Sequence, residues 1–142
     1  MVAIVVSTGV AHAEDKAFKP YAGRIVVSPD TPPTIFEEIP RFLRINFQAD
    51  NEYDVLKGPP WQINFVAVLS KDPGKKPVQL VFADKADKKL TTMHAMELNA
   101  KRKIVIAHVE ATVAANFEHK TYVMRVMLGK QVLAKCEVTL KD

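Results

Sequence analysis

The sequence predicts an all-β domain of about eight antiparallel strands in a two-sheet sandwich, and three observations predict it. From Arg24 onward apolar and polar residues alternate with a period of two, which sends successive side chains to opposite faces of an extended chain. Turn signals recur at short intervals, the spacing of a sandwich or barrel. No stretch reads convincingly as a helix. The 142 residues are 48% apolar and 25% charged, ordinary for one soluble globular domain. A chain of this length can bury enough surface to fold without a disulfide or a metal. The single cysteine, Cys136, lies in an apolar alternating run and reads as a small buried hydrophobe.

The first element is an address rather than a strand. Residues 1–10 are apolar apart from Ser7 and Thr8, and Ala11-His12-Ala13 then precedes the charged Glu14-Asp15-Lys16. An apolar stretch closing on Ala-x-Ala is how a secretory signal peptide ends. No Lys or Arg precedes it, so residues 1–13 read as a truncated signal peptide. The expected location is periplasmic or secreted. Residues 14–23 then form a flexible lead-in and 24–142 the β-sandwich domain. No other stretch approaches the roughly 20 apolar residues of a membrane span. Residues 1–13 carry no Lys, Arg, Asp or Glu, so the net charge of +4 belongs to the rest of the chain. That balance permits attraction to anionic surfaces, but no nucleic-acid recognition module accompanies it.

The strands follow in order. Arg24–Ser28 is the first, stopped by Pro29-Asp30-Thr31-Pro32-Pro33, where proline removes ladder donors. Arg41–Asp50 is expected as the second, with Leu43, Ile45, Phe47 and Ala49 on one face, and Asn51–Pro60 as a long connection. Trp61–Ser70 comes next, with Trp61, Ile63, Phe65, Ala67 and Leu69 inward and Trp61 as a core anchor. Asp72-Pro73-Gly74 is a turn in which Pro presets φ and Gly tolerates a positive one. Val78–Ala83, Leu90–Leu98 and Ile104–Val113 are the next three strands, and Lys120–Leu128 and Val132–Leu140 flank Gly129-Lys130-Gln131. In that last hairpin a three-residue loop aligns Tyr122, Met124, Val126 and Leu128 with Val138, Cys136, Ala134 and Val132, keeping one face apolar. A two-residue loop is the commoner turn but would bring Arg125 onto that face.

The run Phe117-Glu118-His119-Lys120-Thr121-Tyr122-Val123-Met124-Arg125-Val126, followed by Gly129-Lys130 and Val132-Leu133, resembles the end of the immunoglobulin-like or fibronectin-type-III-like sandwiches of bacterial envelope proteins. The resemblance covers the last quarter of the chain and implies a fold, not a function. It also implies that Tyr122 is a corner tyrosine whose hydroxyl bonds upstream backbone.

The motifs of chemistry are missing. There is no G-x-S-x-G elbow, no H-E-x-x-H pair and no Gly-rich phosphate loop, so neither an enzyme nor a cofactor is expected. The residues 50–54 have acids two apart, but Val55 and Trp61 occupy the positions where a calcium loop needs Gly and Glu. A metal alternative is a periplasmic copper protein using His94, Met96 and His108, since thioether and imidazole suit copper. In one register of the strands 90–98 and 104–113, His94 and His108 stand opposite each other. The register that places Val105, Ala107, Val109, Ala111 and Val113 inward with Leu90, His94, Met96 and Leu98 buries more carbon. It leaves His94 a hydrogen-bonded residue at the core edge and His108 exposed.

Basic residues carry the functional expectation. If strands alternate in direction, the loops 71–76, 99–103 and 129–131 share one end and gather Lys71, Lys75, Lys76, Lys101, Arg102, Lys103 and Lys130. Asp30, Glu37 and Glu38 are expected to join them and offset part of the charge. The reading is a binding or structural module whose partner is an envelope protein or an anionic envelope polymer, with no nucleic acid involved.

Overall fold

The structure, a computed structural model, describes residues 16–142. The expected signal sequence at 1–13 lies outside the described residues. Among the described residues there are eight strands, β1 (Arg24–Ser28), β2 (Glu52–Val55), β3 (Trp61–Val68), β4 (Val78–Asp84), β5 (Thr92–Leu98), β6 (Ile104–Ala111), β7 (Thr121–Leu128) and β8 (Gln131–Leu140). An α-helix, α1 (Ile39–Asn46), lies between β1 and β2.

Two expectations exchange places. The strand expected over Arg41–Asp50 is instead α1, and the connection expected over Asn51–Pro60 contains β2. Within 39–46 the residues that become buried are Ile39, Phe42 and Leu43, spaced i, i+3, i+4, which is the face of a helix. Pro40 sits in the first turn, where its fixed φ suits a helix start. The alternation of Leu43, Ile45, Phe47 and Ala49 was misleading, because Ile45 is 64% exposed and Ala49 faces solvent. In β2, Tyr53 and Val55 are buried while Glu52 and Asp54 point out. Four residues give too short a pattern to announce a strand; pairing with β8, at the far end of the chain, makes one.

The sheet is mixed rather than wholly antiparallel. β2 runs parallel to β8, and β1 meets β8 in parallel through the single pair Arg24↔Lys135. Hydrogen bonding follows β5-β4-β7-β8-β1-β3-β6, with β2 beside β8. The path divides into β1-β3-β6 on one side and β5-β4-β7-β8, extended by β2, on the other. Gly23 ties the two together: its N–H bonds Val68 of β3 at 2.8 Å, and its carbonyl accepts from Lys135 of β8 at 3.1 Å.

β5 and β6 are consecutive but do not pair. β5 lies on β4 with His94 opposite Phe82, and β6 lies on β3 with His108 opposite Asn64. The turn between them therefore passes from one sheet to the other, and neither register expected for a β5–β6 ladder exists. The expected inward sets survive, since they depend only on alternation. Val105, Val109 and Ala111 are buried, and His94, Met96 and Leu98 are half-buried on the inner side of β5. Val113 lies beyond the strand and is 60% exposed.

The core between the sheets contains Ile25, Trp61, Ile63, Phe65, Leu80, Phe82, Tyr122, Met124, Val126 and Val138, all at 0% exposure. Trp61 is the expected anchor, its Nε1–H donating to the carbonyl of Lys141 at 2.8 Å. Cys136 is buried, and burial pushes its thiol pKa far up. The other face of β1-β3-β6 is also covered: Val26, Val66, Val68 and Ile104 are nearly inaccessible. Residues 29–47 return over this face, where α1 packs on β1. Residues 16–23, expected as a lead-in, carry a 3-10 turn at Lys19–Tyr21 and bury Phe18 edge-on against Phe36, ring centroids 5.5 Å apart.

The β7–β8 hairpin keeps the expected register of its buried face but not the expected three-residue loop. Tyr122↔Val138, Met124↔Cys136 and Val126↔Ala134 keep the apolar register. A bulge at Leu133 then shifts the ladder, giving Met127↔Val132 and Leu128↔Gln131 in place of the expected Leu128↔Val132. The loop is thus the two-residue Gly129-Lys130, with Gly129 at φ +61°. One inserted residue reconciles a tight turn with a buried face.

Candidate functional site

The register of the strands brings the basic loops together. Val68 pairs with both Arg24 and Ile104, Val78 pairs with Leu98, and Gln79 pairs with Met127. The connections after β3, between β5 and β6, and between β7 and β8 therefore meet at one end of the molecule. Lys71, Lys75, Lys76, Lys101, Arg102, Lys103 and Lys130 all lie there and are all exposed. Among the described residues, the ion pairs formed by lysines lie elsewhere, at Lys85–Glu137, Lys120–Asp84, Lys120–Glu118 and Lys141–Asp54.

Lys101 to Ile104 form a tight reversal, each end bonding the other: Lys101 N–H to the Ile104 carbonyl at 2.8 Å, and Ile104 N–H to the Lys101 carbonyl at 3.0 Å. Arg102 occupies its corner at φ +59°, a left-handed conformation that disfavours residues bearing a Cβ. The Lys101 ammonium and the Arg102 guanidinium both approach the Phe36 ring, each 5.7 Å from its centroid. These contacts have the geometry of cation–π pairs.

Sequence reasoning did not find what lies beneath. Lys16 and Lys19 join the same end, and between them and the Lys101–Ile104 turn opens a cavity of about 580 Å³. Its floor is Phe18, Phe36, Val68, Leu69 and Ile104; its rim is Lys16, Lys19, Arg102 and Lys103, with Ala22 at the mouth. The signal available was a lone aromatic between two lysines, Lys16-Ala17-Phe18-Lys19, which says nothing of where Phe36 will be. The acidic residues expected at this end divide. Glu37 and Glu38 follow Phe36 and are near it. Asp30 is at the other end, its N–H on Ser28 Oγ and the preceding Pro29 carbonyl accepting from Asn64. Pro29 also lines a cavity of about 640 Å³ at that end with Asp50, Glu52, Asp54, Glu137 and Lys85, which pairs with Glu137 at 2.7 Å, so the charge there is mixed.

The three residues of the metal alternative are not brought together. His94 bonds the Ala115 carbonyl through Nε2 and stacks on Phe117 at 4.6 Å, on the β5 side of the core. Met96 is on the same strand. His108 is on the outer face of the opposite sheet, its Nδ1 at 2.6 Å from Asn64 Oδ1. Both imidazoles are thus as the second register implied, one at the core edge and one exposed. Among the described residues no group of three His, Cys, Asp or Glu could hold a metal ion.

Tyr122 behaves as a corner tyrosine. Its hydroxyl accepts the Glu118 N–H at 2.8 Å, four residues upstream, and its ring meets Phe117 at 5.3 Å. With this corner and, among the described residues, eight strands on one mixed, hydrogen-bonded path that closes around a shared core in a nearly barrel-like way, the fold is an immunoglobulin-like β-fold. It is similar in structure to an immunoglobulin-like protein from Pseudomonas aeruginosa, with 18% identity over 67% of this chain and 81% of that one, at a TM-score of 0.41. No protein-family model and no curated protein matches the chain.

Proposed function

We propose that this chain is an exported, non-enzymatic binding module of the bacterial envelope that makes weak contacts with anionic envelope material through its basic end. One observation carries the reading: three connections distant in sequence meet at one end and bring seven exposed cations with them. Charges gathered within about one Debye length, roughly 8 Å at physiological salt, add their fields and attract anionic surfaces. Scattered over the domain, the same lysines would serve only solubility.

The test is retention on vesicles containing anionic phospholipid. Replacing Lys101, Arg102 and Lys103 together by Ser lowers retention at low salt, and added salt weakens the parent protein in the same way. Retention that is unchanged by the triple substitution refutes the reading. An envelope protein that captures the parent chain while such vesicles do not would transfer the basic end to an acidic protein partner.

A further inference from the structure

We infer that the cavity on the outer face of β7 and β8 binds a dipeptide-sized zwitterion, with its carboxylate at Arg125 and Lys135 and its ammonium at Asn51 and Asp50. The inference goes beyond the basic end: among the described residues, none of the seven cations gathered there lines this cavity.

The site is built from the two strands upward. Met124, Val126, Ala134 and Cys136 face the core, so Arg125 and Lys135, opposite each other in the ladder, share the outer face. Two residues along, Val123 stands opposite Glu137. The Glu137 N–H bonds the Asn51 carbonyl at 3.0 Å, which brings Asp50 and Asn51 to that end. These residues line one cavity of about 560 Å³, within the roughly 300–1,000 Å³ of small-molecule sites. Half-buried Leu90 and Val123 give it apolar walls. The cationic pair and the opposite end are two residues apart along the strands, about 7 Å. Glu137 is taken by Lys85 at 2.7 Å, so Asn51 and the exposed Asp50 are left there to accept.

Two buried polar atoms on residues lining this cavity have no hydrogen-bond partner among the described residues, Arg125 Nε and Asn51 Oδ1. Both side chains are otherwise fixed. Arg125 donates from Nη2 to the Leu90 carbonyl at 2.9 Å. Leu90 is held at φ +49°, which a bulky residue disfavours, in a loop whose Lys89 and Thr91 N–H groups donate to the Asp87 carboxylate. Asn51 donates from Nδ2 to the Lys135 carbonyl at 2.9 Å, and turning the amide over would set oxygen against oxygen, so Oδ1 keeps its place. One orphaned atom is a cationic donor and the other an acceptor. A simple anion would satisfy the first and leave the second, and a simple cation the reverse. A carboxylate and an ammonium joined by two residues of extended chain, roughly 7 Å, satisfy both.

Titration calorimetry of the full chain at low salt tests the inference, with L-alanyl-L-alanine, its N-acetyl and C-terminal amide forms, and L-alanine as probes. Dialanine binds saturably and about tenfold or more tighter than either blocked form, each of which lacks one charge-assisted hydrogen bond. Alanine, whose charges lie about half as far apart, binds no tighter than the blocked forms. Arg125→Gln lowers the lead of dialanine over its amide to about twofold and keeps its lead over the acetylated form. Asn51→Gly, which suits the φ of +62° there, narrows the lead over the acetylated form alone. Because each preference is read within one variant, a loss of stability does not move it. Absence of saturable dialanine binding, blocked forms or alanine that bind as tightly as dialanine, or preferences that both substitutions leave unchanged, overturn the assignment.

Discussion

Gly58→Ala should be the most damaging single-methyl change available in this fold, and the reason is space rather than backbone freedom. A Cβ built at residue 58 would lie 2.2 Å from Cδ1 and 2.3 Å from Cγ and Nε1 of Trp61. Carbon atoms in contact normally stand about 3.5–4.0 Å apart, so more than 1 Å must be recovered. The indole cannot easily supply it, because Trp61 is fully buried, its Nε1–H is bonded to Lys141, and His119 packs edge-on at 5.0 Å. Swinging the ring would orphan a buried donor, at about 1–3 kcal/mol, on top of about 1–3 kcal/mol for overpacking. Lifting the 57–60 connection instead would break the 3.3 Å bond from the Gly58 N–H to the same Lys141 carbonyl. Either route costs about 3 kcal/mol. In a domain of this size 1 kcal/mol moves Tm by roughly 3–5 °C, so G58A should melt about 10 °C below the parent. Gly74→Ala is the contrast: its added Cβ meets nothing, and only its φ of +67° is unfavourable. There the net loss is about 1 kcal/mol, after the gain in chain stiffness is subtracted from the left-handed penalty. Calorimetric melting of both variants checks the argument. A G58A protein melting within about 2 °C of the parent, or above G74A, would refute it.

Two further predictions concern tyrosines. Tyr122→Phe leaves the ring packing intact but strips the Glu118 N–H of its acceptor, so stability falls by about 1–2 kcal/mol with an unchanged denaturant slope; a changed slope or no loss would dissociate the corner from stability. Burial pushes the Tyr53 pKa up to about 12 despite the Gln48 N–H donating to its hydroxyl. A raised folded-state pKa means the folded form holds the proton more tightly. Its contribution is complete below about pH 10, the value of an unfolded tyrosine, and disappears as pH rises toward 12. Denaturant midpoints measured across that window should fall more steeply for the parent than for Tyr53→Phe; parallel curves would contradict it.

The alternation of carbon and polar side chains determined most of this molecule by itself. It placed seven of the eight strands within a few residues of their ends, sorted Trp61, Phe65, Tyr122 and Val138 inward, and assigned His94 and His108 their separate surroundings. It also placed the seven basic loop residues at one end, because β3 to β8 do alternate in direction; β1 and β2 instead run the same way, both parallel to β8, which is why Asp30 lies at the other end. Alternation is a local property, and it could not say which strands would pair. The β2 strand exists because β8 lies alongside it, 85 residues away at the Glu52↔Glu137 pair. The passage of the chain from β5 to β6 between sheets was settled by where β3 and β4 offered open edges, not by the turn that joins them. Helix α1 illustrates the competition most directly: residues 41–49 fit a strand by alternation and a helix by the 39, 42, 43 spacing. The exposed outer face of β1 and β3 needed cover, which a helix could give without adding another edge. Phe36 was carried back across that face with it, so the cavity beneath the cations is a product of tertiary packing alone.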